Sequence, residues 1–384
     1  MRILALDQFS ELGGAQRCLL DWLPAAQQAG WQVQVGLPGP GPLGEALARL
    51  HIPVHFLPLG PYSLGRKTVL DGIRFLAELP KAAARIRALA RSLDVSLLYV
   101  NGPRLMPAAS RAGAGRPVVF HSHNLVPAAN GGKILAAALR QTGATVIAAS
   151  RFLAESLSRP EARVIYSGVE APAVPRPPAD GVFRVGLIGR IAPEKRQKEF
   201  ALAARQVAAR RPDVEFCLCG DALFGDRRGL RYKEELLALA GGGLRWLGWR
   251  EPAQEVLATL DLLVAPWIGE GLPRVILEAF AARVPVLACA SGGIPEAVRE
   301  AETGFLLPSF SSAAIAGRIK ELRNSPDRLA AAAEGGHRLW RERFTLQRYR
   351  AEILEVLESA RASSRQNSPA ASARPPTSTP RAAG

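Results

Sequence analysis

The sequence predicts an α/β chain of two Rossmann-like domains facing a central cleft, on three observations. Short, wholly apolar runs alternate with helical patterns from end to end. The length, 384 residues, suits two domains of ordinary size, and 48% hydrophobic residues supply a core for each. A proline-rich break, APAVPRPPAD at 171–180, divides the alternation into two series.

In the first series the expected strands are Arg2–Asp7, Val33–Leu37, Val95–Asn101, Val118–His123 and Thr145–Ala149. In the second they are Arg184–Ile188, Val214–Cys219, Leu244–Leu247, Leu262–Ala265 and Val286–Ala290. Strands that are apolar throughout, with helices between them, are covered on both faces, which means parallel sheets wound by right-handed crossovers. The expected organisation is an N-terminal domain over 1–170, a linker over 171–180, a second domain over 181–334, a charged helical stretch over 335–360 and a tail over 361–384. The tail is rich in Ser, Pro, Ala and Arg and has no acidic residue, so it is expected to lack fixed structure.

The formal charge of +15 suits an anionic partner: nucleotide phosphates, a membrane surface or nucleic acid. Nucleic acid ranks last, because aromatic residues are only 6% and no recognition motif interleaves them with the basic ones. The four cysteines, Cys18, Cys217, Cys219 and Cys289, lack metal-type spacing and read as reduced core thiols, as in a cytoplasmic protein. The N-terminus lacks the features of a signal peptide, and no apolar run approaches the ~18 residues of a membrane span.

Five segments carry chemistry. Gly13-Gly14-Ala15 follows the first strand, where glycines admit a ligand close to the backbone and the next helix start favours an anion. FRVGLIGRIAPEK, 183–195, ends a strand in Gly189-Arg190 and starts a helix near Lys195, so two cations can clamp a diphosphate at the carboxyl edge of the sheet. PWIGEGLPRVILE, 266–278, places Glu270 on a flexible loop beside Gly271 and Leu272, with Glu278 lower in the same cleft. Carboxylates accept hydrogen bonds from sugar and ribose hydroxyls. Glu278 sits in an apolar helix, where a buried carboxylate needs a partner. The loop SGGIPE, 291–296, follows another strand and can join the same rim. His121-Ser122-His123-Asn124 forms a polar cluster at a strand end, where catalytic groups tend to sit.

In order and spacing, these segments resemble the retaining glycosyltransferases of the GT-B fold, family four, also called glycosyl transferases group 1. The resemblance covers about residues 1–360. It implies sugar transfer from a nucleotide diphosphate donor to a glycan, lipid-linked or small-molecule acceptor, without a metal or other cofactor. It implies that Gly13 and Gly14 lie at the donor phosphate and sugar, that Arg190 and Lys195 hold the diphosphate, and that Glu278 binds the ribose. Glu270, with Gly271 and Leu272, would hold the sugar, and His123 would sit at the reaction centre, with His121 the runner-up. The stretch 335–360 would cross back onto the first domain.

Two departures stand out: Trp267 where the family often has Ser, and Arg196 where it often has Gly. Residues 66–91 hold seven Lys and Arg against two acids, and Pro80 is expected to split them into two helices. Relatives acting on lipid-linked acceptors imply that this basic amphipathic surface meets an anionic membrane, peripherally and from the cytoplasmic side. Two other readings stay open: a nucleotide-sugar epimerase of the same fold, and a non-catalytic nucleotide-sugar-binding protein.

Overall fold

The computed structural model describes residues 1–60, 69–113, 115–126, 130–177, 180–223 and 227–366. The first domain is β1 (Arg2–Asp7), α1 (Gly14–Gln28), β2 (Gln32–Leu37), α2 (Pro42–Arg49), β3 (Val54–Phe56), α3 (Val69–Ser92), β4 (Leu97–Asn101), α4 (Met106–Ala112), β5 (Val118–Ser122), α5 (Asn130–Thr142), β6 (Thr145–Ala148), α6 (Arg151–Ser156) and β7 (Arg163–Val164). The second is β8 (Phe183–Ile188), α7 (Gln197–Ala208), β9 (Val214–Cys219), α8 (Arg227–Ala240), β10 (Arg245–Trp246), α9 (Ala253–Leu257), β11 (Leu262–Ala265), α10 (Arg274–Ala281), β12 (Val286–Cys289), β13 (Phe305–Leu307) and α11 (Ser312–Arg323). Two further helices, α12 (Pro326–Arg343) and α13 (Leu346–Gln366), close the described chain.

Each domain holds one parallel sheet. The first runs β3-β2-β1-β4-β5-β6-β7 and the second β10-β9-β8-β11-β12-β13. The strand order reverses between β1 and β4 in one sheet and between β8 and β11 in the other. In open parallel sheets a ligand crevice forms beyond the strand carboxyl ends at that reversal, because the connecting helices diverge to opposite faces. Both faces of each sheet are packed. Trp22, Leu19 and Val35 lie in one cluster of the first domain and Ile86, Val100 and Phe120 in the other. Phe200 and Phe216 cover one face of the second sheet, Ile276 and Phe280 the other.

Close packing reaches the backbone at the ends of β8 and β9. A Cβ on Gly220 would lie 2.0 Å from the Gly189 carbonyl oxygen. Only a glycine lets these two strand ends come so near, and that approach sets where Arg190 begins.

Three features differ from the sequence expectations. Pro80 lies inside α3, which is one continuous helix. The carbonyl left without its amide donor is that of Leu76, which is 60% exposed and open to water, while Leu79, Ala82, Ala83 and Ile86 anchor the helix below it. The stretch 335–360 is the end of α12 and most of α13, with a break at Phe344-Thr345. The break arises because Val169 pairs there, donating to the Phe344 carbonyl at 2.9 Å and accepting from the Leu346 amide at 3.1 Å. The helix then continues to Gln366, past the expected tail start at 361. Residues 367–384 lie outside the described residues, as do 66–68 of the basic stretch. The short strands β3, β7 and β13 carry two or three residues each, too few for a pattern to show.

Helix α13 belongs to the core of the first domain. Tyr349, Ile353 and Leu357 share a cluster with Leu19 and Trp22. The Tyr349 hydroxyl donates to the Cys18 carbonyl at 2.8 Å. The four cysteines are buried and unpaired.

Gly220→Ala is expected to lower unfolding free energy by about 2–3 kcal/mol, since neither backbone can yield cheaply. Urea denaturation of parent and variant measures this, and an unchanged midpoint contradicts it.

Candidate active site

A cleft of about 860 Å³ lies between the domains, at the carboxyl ends of both sheets. Gly13, Gly14, His123, Arg190, Lys195, Glu270, Gly271, Leu272 and Glu278 all line it. His121 does not. It is fully buried on β5, with Nδ1 hydrogen-bonded to the Tyr99 hydroxyl at 2.6 Å, and it stacks behind His123 with ring centroids 3.9 Å apart. His121 therefore cannot touch a ligand.

The glycine loop opens α1 toward the cleft. A Cβ on Gly14 would meet nothing within 4 Å, so the first turn of the helix is open to an approaching group. Opposite it, a turn after β8 carries the two cations. Arg190 pairs with Glu194 at 2.6 Å, and Gln197 donates to its carbonyl at 2.8 Å. Lys195 pairs with Glu270 at 3.2 Å, and its ammonium sits 3.9 Å from the centroid of Trp267. Trp267, one of the two departures, thus forms an aromatic floor under the lysine, an arrangement that attracts a cation. The other departure runs against the backbone. Arg196 adopts a left-handed conformation, φ 57°, where glycine is the natural residue.

The second glycine loop supports the site from beneath and does not line it. A Cβ on Gly292, at φ 63°, would stand 2.0 Å from the Glu270 carbonyl oxygen. Its Glu296 turns away to the first domain, accepting from the Arg151 and Phe152 amides at 2.9 Å each and from the Tyr166 hydroxyl at 2.7 Å.

Several cleft residues were not anticipated. Arg274, at the start of α10, reaches across the cleft to Asp21 on α1 at 2.5 Å and to the Gly168 carbonyl at 3.1 Å. It also lies 3.7 Å from Glu278, one turn along its own helix. The carboxylate expected to need a partner therefore has one within the chain. Burial opposes the guanidinium charge, but Asp21, Cys18 and Glu278 raise its pKa above the ordinary value. Burial pushes the Glu278 carboxyl up, against Arg274 and Arg17. Arg17 and Glu251 form a second ion pair between the domains. The four-residue spacing of Arg274 and Glu278 was visible in the sequence; the reach to Asp21 was not.

His123 is neutral. Burial and then the charge of Arg274 push its pKa down to about 3. Its Nε2 lies 2.7 Å from Asn101 Oδ1 at the end of β4.

Comparison with known proteins agrees with this arrangement. Residues 12–171 match the family model described as Glycosyltransferase Family 4, and residues 182–325 the model described as Glycosyl transferases group 1. The chain is 30% identical over 156 residues to D-inositol 3-phosphate glycosyltransferase of Segniliparus rotundus, covering 40% of this chain and 34% of that protein. It is 30% identical over 183 residues to alpha-maltose-1-phosphate synthase of Mycolicibacterium smegmatis, covering 45% and 46%. These matches span less than half the length of either relative. Among solved structures, Anabaena HepE in complex with UDP and glucose superposes with a TM-score of 0.79 at 25% identity, covering 94% of this chain and 100% of that one.

The depressed pKa of His123 has a measurable cost. The unfolded chain protonates it below its ordinary value of 6.5, whereas the folded chain resists until about pH 3, so this group removes stability as pH falls through that window. His123→Gln is expected to lose about 1–2 kcal/mol less than the parent between about pH 6.5 and 4.5. Urea unfolding at the two pH values checks this; identical losses contradict it.

Proposed function

The chain belongs to the glycosyltransferases of family 4 and group 1, with their GT-B fold, and from that premise we propose that it transfers a sugar from a nucleotide diphosphate donor to an acceptor, with retention of anomeric configuration and without a metal. The observation that carries this reading is the meeting, in one cleft, of an open glycine helix start with Arg190 and Lys195. The bond between the anomeric carbon and the diphosphate oxygen breaks, and negative charge grows on the departing phosphate. Two cations and the amide end of α1 stabilise that charge more than they stabilise the bound donor, which is what lowers a barrier.

The other groups have roles by chemistry. Glu270, on its supported loop, accepts hydrogen bonds from sugar hydroxyls, and Glu278 accepts them from the ribose. His123 lies at the sugar. The acceptor hydroxyl attacks from the face the diphosphate leaves, and its proton passes to the departing phosphate oxygen. A closed cleft excludes water, which limits hydrolysis of the donor. HepE, solved with UDP and with glucose, supports a nucleotide-sugar donor here.

For the acceptor side, the first half of α3 is informative. Leu70, Ile73 and Leu76 are 73%, 60% and 60% exposed on one side of a helix that also carries Arg74 and Lys81. No described helix is long and apolar enough to cross a membrane. We take this face as the one that meets an anionic bilayer carrying a lipid-linked acceptor. Sedimentation with vesicles containing phosphatidylglycerol is expected to carry the protein down, and Leu70→Ser/Ile73→Ser to release it. Sedimentation that is equal on neutral vesicles, or unchanged in the variant, rejects the face.

Calorimetric titration with UDP-, GDP- and ADP-sugars tests the donor site. One of them is expected to bind, and Arg190→Ala/Lys195→Ala to weaken it by about 30- to 1000-fold, or roughly 2–4 kcal/mol. Donor converted with no acceptor present identifies an epimerase. Binding without transfer or slow hydrolysis identifies a non-catalytic protein. Equal binding by the variant removes the site assignment.

A further inference from the structure

Behind His123 lies a buried polar chain that the donor site does not explain. Asp7, at the carboxyl end of β1, is fully buried. Its Oδ1 accepts from the Phe9 amide and from Gln16 Nε2, both at 2.9 Å, and its Oδ2 accepts from Asn101 Nδ2 at 2.6 Å. Burial, which these neutral donors only partly offset, pushes its pKa up to about 6. Burying a carboxylate among neutral donors is costly, so a compensating role is expected of it.

Asn101 carries the chain onward. Its Nδ2 donates to Asp7 and, at 3.1 Å, to the Ala15 carbonyl on the first turn of α1. A carboxylate oxygen and a carbonyl oxygen both accept, so both amide hydrogens are committed to that side. The amide oxygen is left facing His123 Nε2 at 2.7 Å. An amide oxygen has no hydrogen to give, so Nε2 must carry one. A neutral imidazole holds a single ring hydrogen. Nδ1 of His123 therefore presents a lone pair, and it has no hydrogen-bond partner among the described residues of a cleft that His123 lines. His121 cannot exchange roles with it, being held from behind by Tyr99.

We infer that Asp7 and Asn101 are positioning residues that lock His123 as the Nε2–H tautomer, so that Nδ1 faces the cleft as a hydrogen-bond acceptor for a hydroxyl of the bound sugar. The identity of the ligand rests on the transferase reading; the tautomer does not. The consequence is selection by hydrogen-bond polarity. A sugar position opposite Nδ1 must donate, so a hydroxyl fits, and a deoxy carbon or a carbonyl there does not. The same amide ties the glycine loop to the histidine through Ala15, so phosphate and sugar subsites share one anchor.

Ring-nitrogen NMR of the full chain, labelled with 15N and free of ligand, tests this, with His123 assigned by its loss in His123→Gln. The parent is expected to show a protonated Nε2 and a lone-pair Nδ1. Asp7→Asn keeps the shape but removes the acceptor that orients Asn101, so the tautomer bias is expected to fall. Affinity for the nucleotide sugar found by calorimetry should drop about tenfold, with affinity for the free nucleoside diphosphate unchanged. Asn101→Leu, which removes the acceptor opposite Nε2, is likewise expected to lose the tautomer bias and to weaken nucleotide-sugar binding, should the first variant not fold. A protonated Nδ1 in the parent overturns the inference, as do variants that keep both tautomer and affinity. An Nε2–H tautomer in a chain that binds no nucleotide sugar sinks the transferase reading and leaves the positioning pair standing.

Discussion

The constraint on which the rest depends is parallel winding. Every named strand in both sheets runs parallel to its neighbours, so all strand carboxyl ends in a domain point the same way. Two such edges facing each other make a cleft whose walls are strand ends and helix starts. Asp7, Asn101 and His123 come from the ends of three adjacent strands of one sheet, and Arg190 and Trp267 follow two adjacent strands of the other. No long-range coincidence is needed to assemble them.

Within that cleft, charge is arranged in advance. Arg274 spans from the second domain to Asp21 on the first, and Arg17 meets Glu251 from the other side. Lys195 rests between Glu270 and the face of Trp267. Each of these three cations already has an anion, so an incoming anion would exchange partners and not meet bare charge. Such exchange costs less reorganisation than desolvating free ions, and it keeps the two walls aligned while empty. Glu296 does the same with neutral chemistry, joining the second domain to two amides and a hydroxyl of the first.

Much of this was legible in the sequence, and the limits have physical causes. The central strands were readable because burial on both faces leaves unbroken apolar runs. The site segments were readable because glycines, paired cations and spaced carboxylates follow strand ends. His121 was misplaced because two histidines two residues apart on a strand point to the same face, and only packing decides which lies behind. Asp7 and Asn101 were missed because each ends an apolar strand as a lone polar residue, 94 positions apart. Their bond exists only once β1 and β4 pair. Pro80 was read as a break because its cost is local, while the packing of Leu79, Ala82 and Ile86 that overrides it is not.

The return of α13 bears on the order in which the parts can form during synthesis. The first domain is translated first, yet its hydrophobic core holds Tyr349, Ile353, Val356 and Leu357 from the last described helix. Until those residues leave the ribosome, the apolar side of α1 around Leu19 and Trp22 lacks the part of its cover that α13 supplies. The second domain, whose two clusters draw on residues between 169 and 344, has all its parts before then. The nascent chain therefore holds every part of its second domain's core before the first domain's core is complete, and that completion waits on α13.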